Sequence, residues 1–408
     1  MAMLRNVVYV APFPGIRTTH RFASALASLQ GTRLLGVFQE RPSAEVAKIY
    51  DDVVVVPSAL HAGQLLDACE VLRRRHGPLH RIVGILEDLQ VPLALLRRHY
   101  GMAGGDVDAA HRFRDKGEMK KALRAADIPC ARDARLRSEA EGWAFASRVG
   151  FPIVLKPPAG SGCRSTYACH DADALRGALA ASRPSPEREV LAEEFLSGRE
   201  YSFETITVQG QPVFHSISRY LPGPLEVTQN PWMQWVCVLP RDIRGPAFDP
   251  VREVGIRAIQ RLGMHSGMTH MEWFLRPDGS VAVGEIAMRP PGAQFVTLMS
   301  WAYDTDMYRA WARAAVDDAF DGPVSRDWAV SIAYLRGVGA GRVAAVEGLD
   351  QAQRELGPLV VEAKLPSRGM PRSSHYEGDG YVILRHPDTD VVMAATKRLI
   401  ETVQVHYR

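Results

Sequence analysis

Residues 270–289 read HMEWFLRPDGSVAVGEIAMR, two apolar, β-prone runs joined by Pro277-Asp278-Gly279-Ser280. Turn chemistry of this kind between two such runs predicts a β-hairpin. With Asp278 and Gly279 as the two central turn residues, cross-strand partners sum to a constant and Glu272 falls directly opposite Glu285. Two like charges then face each other, which is destabilising unless something neutralises them. The side-chain period of two adds His270 to the face of Glu272, and Ala287 and Arg289 to the face of Glu285. Two readings fit: a hard cation such as Mg²⁺ that takes one or two carboxylates and completes its octahedron with water and phosphate oxygens, or a solvated face with two unrelated glutamates. A turn one residue longer would send the carboxylates to opposite faces, so the choice rests on the rest of the chain.

A chain of 408 residues with 46% hydrophobic content can bury the cores of two or three domains. The net charge of +3 is small and the arginines are scattered, so neither nucleic-acid nor membrane-surface binding is expected. The five cysteines (Cys69, Cys130, Cys163, Cys169 and Cys237) form no Cys-x-x-Cys, and their odd count argues against a disulfide framework. The first apolar run, 7–10, is too short for a signal peptide and no stretch reaches membrane-spanning length. A soluble, cytoplasmic protein is the expectation.

Along 6–105, strands at 7–10, 34–38, 53–56 and 81–86 alternate with helices at 18–29, 64–75 and 91–100. Such alternation implies a parallel sheet with helices on both faces, whose ligands lie beyond the carboxyl ends of the strands, here the 12–15 and Glu87-Asp88 loops. No Gly-x-Gly-x-x-Gly follows the first strand, so a dinucleotide fingerprint is absent. A charged helix at 108–126, by itself a solvated helix, precedes a helix at 139–149 and a strand that ends at Lys156 and two prolines. Then comes a small-residue loop, 159–166, whose backbone N–H groups could approach an anion. Further on the pattern predicts a helix at 171–181, strands at 190–195, 201–208 and 213–219, an irregular Trp- and Pro-rich loop at 220–244, and a helix at 249–262. After the hairpin come a helical region, 299–319, and a strand–helix–strand–helix tail. The domains read as 1–108, 109–189, 190–322 and 323–408.

In this order the pieces resemble the ATP-grasp superfamily, more closely its carboxylate–amine ligases of the L-amino-acid (dipeptide) ligase type. Arg114-Asp115-Lys116 resembles the family's first ATP lysine at a helix start. Lys156 with Gly160-Ser161-Gly162 resembles the second lysine and the loop that closes over the phosphates. Glu193-Glu194-Phe195-Leu196, running on to Glu200, resembles the adenine-binding hinge, with Glu200 on the ribose hydroxyls. Glu272 and Glu285 sit where the family places its two Mg²⁺-binding acids, and Arg289 where it places an arginine near the transferred phosphoryl. The departure is Ala287, where relatives often carry a metal-ligating Asn; a methyl cannot coordinate.

The resemblance covers essentially the whole chain. It implies an ATP-grasp fold of mixed α/β and α+β character, with a Rossmann-like N-terminal domain and a small C-terminal α+β appendage. The implied activity is an ADP-forming acid–amine ligase that forms an amide through an acyl phosphate, using ATP and Mg²⁺, with Mn²⁺ an alternative. Lys156 and Arg289 are its expected catalytic residues. Small-molecule carboxylate and amine substrates and a homodimer follow from the same likeness. Glu226, Trp232 and His270, with Arg289, are the substrate-contact candidates, and Trp232, Met233 and Trp235 could line an apolar pocket. Two other activities remain open: a bicarbonate- or formate-phosphorylating carboxylase or purine-pathway ligase, and a nucleotide-binding module without turnover.

Overall fold

The computed structural model describes residues 4–15, 17–160, 162, 165–230, 232–322 and 325–408. Four parallel strands open the chain, in the spatial order Asp52–Val55, Thr32–Phe38, Arg5–Val10 and Leu79–Val83. The first strand explains why this sheet is covered on both sides. Val7, Val8, Tyr9 and Val10 are all fully buried, as expected of a central parallel strand. Val8 and Val10 pack with Leu65, Leu72 and Leu93 on one face, while Val7 and Tyr9 join a core containing Phe22 and Trp311 on the other. Through that second face the helix Arg17–Ala27 meets the helix Met307–Asp317, with Phe22 edge-on to Tyr308 and Trp311.

A second sheet, antiparallel, runs Asp133–Leu136, Val190–Glu194, Ile153–Lys156, Tyr167–Cys169. The helices Glu139–Val149 and Ala172–Ser182 close its core over Leu136, Leu155 and Leu175. The third and largest is an eight-stranded antiparallel sheet. From one edge inward it holds Val281–Ala287, Gly267–Leu275, Arg199–Val208, Gln211–Leu221 and Trp235–Leu239, and it continues through Ala329–Leu335, Gly380–His386 and Val360–Lys364. The strands beyond residue 323 thus extend the sheet that holds the hairpin.

Three expectations are corrected. The charged helix at 108–126 is two helices, Val107–Arg114 and Lys116–Arg124, because the Asp115 carboxylate accepts from the Gly117 and Glu118 amides and caps the second. The helical region at 299–319 is likewise divided, into Phe295–Tyr303 and Met307–Asp317, with Asp306 capping the latter. The irregular 220–244 stretch contains the helix Pro224–Gln229 and the strand Trp235–Leu239, all five residues of which are buried. Among the described residues no helix is long and apolar enough to cross a membrane.

Candidate active site

The hairpin forms, and Glu272 pairs with Glu285 and His270 with Ala287. The route to that pairing differs from the two-residue turn. Leu275 pairs with Val281, and the Arg276 amide donates to Ser280 O at 2.9 Å, so Pro277, Asp278 and Gly279 make a three-residue turn with Gly279 at φ +81°. That extra residue alone would put Glu285 on the wrong face. A bulge at Gly284 absorbs a second residue, and the two offsets cancel.

The neighbouring strand completes the face. Glu204 lies opposite His270 and Ser202 opposite Glu272, with Glu200 two residues further on the same side. Four carboxylates therefore share one sheet face. His270 is bonded through Nδ1 to Glu204 at 2.9 Å and lies 3.7 Å from Glu272, and these partners outweigh its burial and lift it to about 9. Glu200 is held well above the usual carboxylate range, by burial first and by the Glu272 charge second. Glu204 keeps one oxygen buried with no hydrogen-bond partner among the described residues.

Three lysines meet this acidic face. Because Asp115 restarts the helix, Lys116 becomes its first residue. Its backbone amide donates to Pro158 O at 2.9 Å, and its Nζ reaches Gly160 O at 2.7 Å and Glu285 at 3.0 Å. One turn on, fully buried Lys120 donates to Gly284 O at 2.7 Å and pairs with Glu193 at 3.0 Å. Lys156, at the end of its strand, takes the other Glu193 oxygen at 2.9 Å. Burial opposes ionisation of Glu285, but Lys116 and Lys156 prevail and hold it at about 2. The same contest leaves Lys156 above its ordinary value, with Glu193 as its main support.

Arg289 leaves the hairpin toward the N-terminal domain, where its Nε and one Nη donate to Glu87 at 3.2 and 3.0 Å. The other Glu87 oxygen accepts from Arg114 at 3.3 Å, and Asp88 from Arg114 at 2.5 Å. Glu87 is thus a carboxylate fork that fixes Arg289 beside the helix leading into Lys116.

At the expected hinge, the Glu193 side chain is taken by Lys120 and Lys156. The Glu194 side chain turns to Arg132, whose Nε is 2.5 Å away, and to Arg276 at 3.5 Å. The backbone amides of Glu194 and Phe195 donate to Arg132 O and Pro152 O, whereas that of Leu196 has no acceptor among the described residues. Gly160 and Gly162 border Ser161, which lies outside the described residues, as do Cys163 and Arg164. Trp235, expected in a pocket, is instead core: it is 2% exposed and stacks on Tyr334 with centroids 4.9 Å apart. Trp232 is 57% exposed, and Glu226 is exposed on the helix Pro224–Gln229, so neither is brought to the acidic face by packing.

Sequence reasoning missed Lys120, Glu204 and the Glu87 fork. For Glu204 a signal existed. Glu200, Ser202 and Glu204 are polar at every second position of a strand whose other face carries Tyr201 and Phe203 in the core.

The residues fit a divalent cation. The Glu272 side chain is 35% exposed, and its one cationic neighbour within 4 Å among the described residues is His270. No larger cluster of metal-ligating side chains occurs among the described residues. An ion here would have the two hairpin carboxylates and otherwise oxygens from water or substrate, which suits Mg²⁺.

Residues 149–297 match the ATP-grasp domain model. The chain is 25% identical over 353 residues to the uncharacterized protein y4rH of Sinorhizobium fredii (strain NBRC 101917 / NGR234), covering 83% of this chain and 71% of that one. It is 26% identical over 240 residues to the L-arginine-specific L-amino acid ligase of Bacillus subtilis, covering 57% of each. Its fold superposes on the crystal structure of L-amino acid ligase from Bacillus licheniformis with a TM-score of 0.80 at 16% identity, over 100% of both chains. Residues 149–297 thus match an ATP-grasp domain, and over its whole length the chain has the fold of that L-amino acid ligase structure.

Proposed function

We propose that this protein is an ADP-forming ligase that phosphorylates a small carboxylic acid with ATP and joins it to an amine, most plainly two amino acids. The observation that carries the reading is the convergence of Lys116, Lys156 and a facing carboxylate pair on one sheet face, with Arg289 fixed beside it. A carboxylate is a poor electrophile at neutral pH. Conversion to an acyl phosphate supplies the leaving group, and the amine then attacks the carbonyl carbon, expels phosphate and loses a proton.

Each residue has a part in that sequence. Lys116 and Lys156 are placed to exchange their glutamate partners for nucleotide phosphates, so that both cations are already oriented before substrate arrives. Glu272 and Glu285 would hold Mg²⁺. When bound, that ion neutralises and aligns the β- and γ-phosphates. The Leu196 amide is available to the adenine edge, and Glu200, on the same sheet face as Glu272, is placed to accept from a ribose hydroxyl. Arg289 stabilises the transferring phosphoryl and then the oxyanion of the tetrahedral intermediate. The Gly160 loop is tied to Lys116 through Gly160 O and can exclude water from the acyl phosphate. Ala287 offers no oxygen to this face, so a bound ion would have Glu272 and Glu285 as its protein carboxylates and would take its other oxygens from water or substrate. His270 is held by Glu204 as a positioning group for Glu272.

The test is isotopic. With a carboxylic acid labelled with ¹⁸O in its carboxylate, turnover with an amine should carry one ¹⁸O into the inorganic phosphate. Product amide with unlabelled phosphate would exclude the acyl phosphate.

A further inference from the structure

Arg97 takes no part in the chemistry above. On the helix Gln90–His99 its Nε donates to Ile82 O at 2.8 Å, and its two terminal nitrogens have no acceptor among the described residues. Burial, and after it the nearby Arg81 charge, pulls this guanidinium down to about 10. A part-buried guanidinium with its fork unfilled is costly until an anion completes it.

Arg97 lines a chamber of about 50 Å³ together with Gly84, Gln90, Ser266 and Arg289. The volume suits a carboxylate or phosphate head, since one water needs roughly 10–15 Å³. The chamber shares Gly104, Asp106, Gly263 and His265 with an open groove of about 450 Å³, bordered further out by Gln209, Gln211 and Gln260. A Cβ on Gly104 would stand 3.7 Å from an Arg97 terminal nitrogen, so the guanidinium sits where chamber and groove join. Asp106 is the one carboxylate among the described residues of this lining, and it is engaged elsewhere. Its Oδ1 accepts from the Ala109 amide at 2.9 Å and its Oδ2 lies 3.7 Å from Arg112.

We infer that the chamber binds the oxyanion group of a small molecule, carboxylate or phosphate, on Arg97, with an uncharged polar body along the groove of Gln209, Gln211 and Gln260. Its residues are distinct from the lysines and glutamates of the acidic face, so it stands whether or not the ligase reading does. Arg289 borders the chamber while its guanidinium holds Glu87, which gives the site a physical link to the reaction site.

Isothermal titration calorimetry of the full chain, with inorganic phosphate and separately with succinate, tests this. At least one anion should saturate a single site. Arg97→Met should weaken that binding about tenfold or more, the loss of one charge-assisted interaction, and Lys156→Met should leave it unchanged. Phosphate alone binding identifies a phosphate ester as the ligand class, and succinate alone a carboxylate. His265→Trp, at the half-exposed mouth, should block entry and keeps the test decisive should Arg97→Met not fold. Absence of saturable binding by either anion, wild-type affinity in both Arg97→Met and His265→Trp, or loss in Lys156→Met with retention in Arg97→Met would each overturn the assignment.

Discussion

Lys120 is fully buried between a carbonyl and a carboxylate: it donates to Gly284 O and pairs with Glu193, which it shares with Lys156. Truncating its charge leaves Glu193 half-compensated and a carbonyl unsatisfied. Lys120→Met should therefore lose about 3–5 kcal/mol of stability in chemical denaturation, the usual cost of breaking a buried pair. A charge run on a helix ordinarily means a solvated face, which is why neither Lys116 nor Lys120 announces its burial in the sequence. Only the capping role of Asp115, a backbone-scale event, turns them inward. His215 gives a pH prediction at the same scale. It stacks on Phe203, and burial holds its pKa below the ordinary value, with Arg252 and Arg326 adding to the effect. Below about pH 6.5 the unfolded chain takes up the proton first, so stability is retained above that value and falls as pH falls through it, by at most about 1.4 kcal/mol per pH unit. His215→Gln should flatten that part of the stability–pH curve measured by denaturation.

At the scale of the element, the hairpin depends on a pair of irregularities that compensate. The sequence places Glu272 opposite Glu285 through a two-residue turn, and the fold reaches the same pairing through a three-residue turn and a bulge. A bulge depends on local fit more than on pattern, so it was not legible. What marks it in hindsight is Gly284 inside a strand. A Cβ there would meet Phe274 at 3.1 Å and Glu272 O at 3.3 Å. Gly284→Val should cost about 1–3 kcal/mol from overpacking and, by disturbing the register, lower ATP turnover by more than it lowers the melting temperature of the rest of the chain. Elements with strong periodicity were legible: the helices Glu139–Val149 and Asp249–Leu262 start and stop where their caps and apolar spacing put them.

Across the whole molecule, the buried carboxylate of Glu87, on the segment after the Leu79–Val83 strand, ties the parallel sheet to the end of the hairpin. Glu87 is 7% exposed and holds both Arg114 and Arg289. Glu87→Gln keeps the volume and removes the charge. It should destabilise by about 3 kcal/mol and lower turnover by up to about 100-fold through misplacement of Arg289, with ATP affinity little changed; denaturation, steady-state kinetics and nucleotide titration separate the three. Long-range joins of this kind are invisible to a reading along the chain, as is the continuation of the hairpin's sheet into strands beyond residue 323. The alternation of the first hundred residues was legible because its two central strands, Arg5–Val10 and Thr32–Phe38, are buried on both faces and read as continuous apolar runs.

In the proposed reaction Glu272 and Glu285 act together on a nucleotide held by Lys116 and Lys156. The most direct test measures ADP release with ATP, Mg²⁺ and pooled amino acids, and identifies the product by mass spectrometry, for wild type, Glu272→Gln and Glu285→Gln. The account predicts substrate-dependent ADP and a new amide in the wild type, and loss of both by about 100-fold or more in each variant, as removal of a metal carboxylate implies. Near-normal ADP release by Glu285→Gln would contradict it.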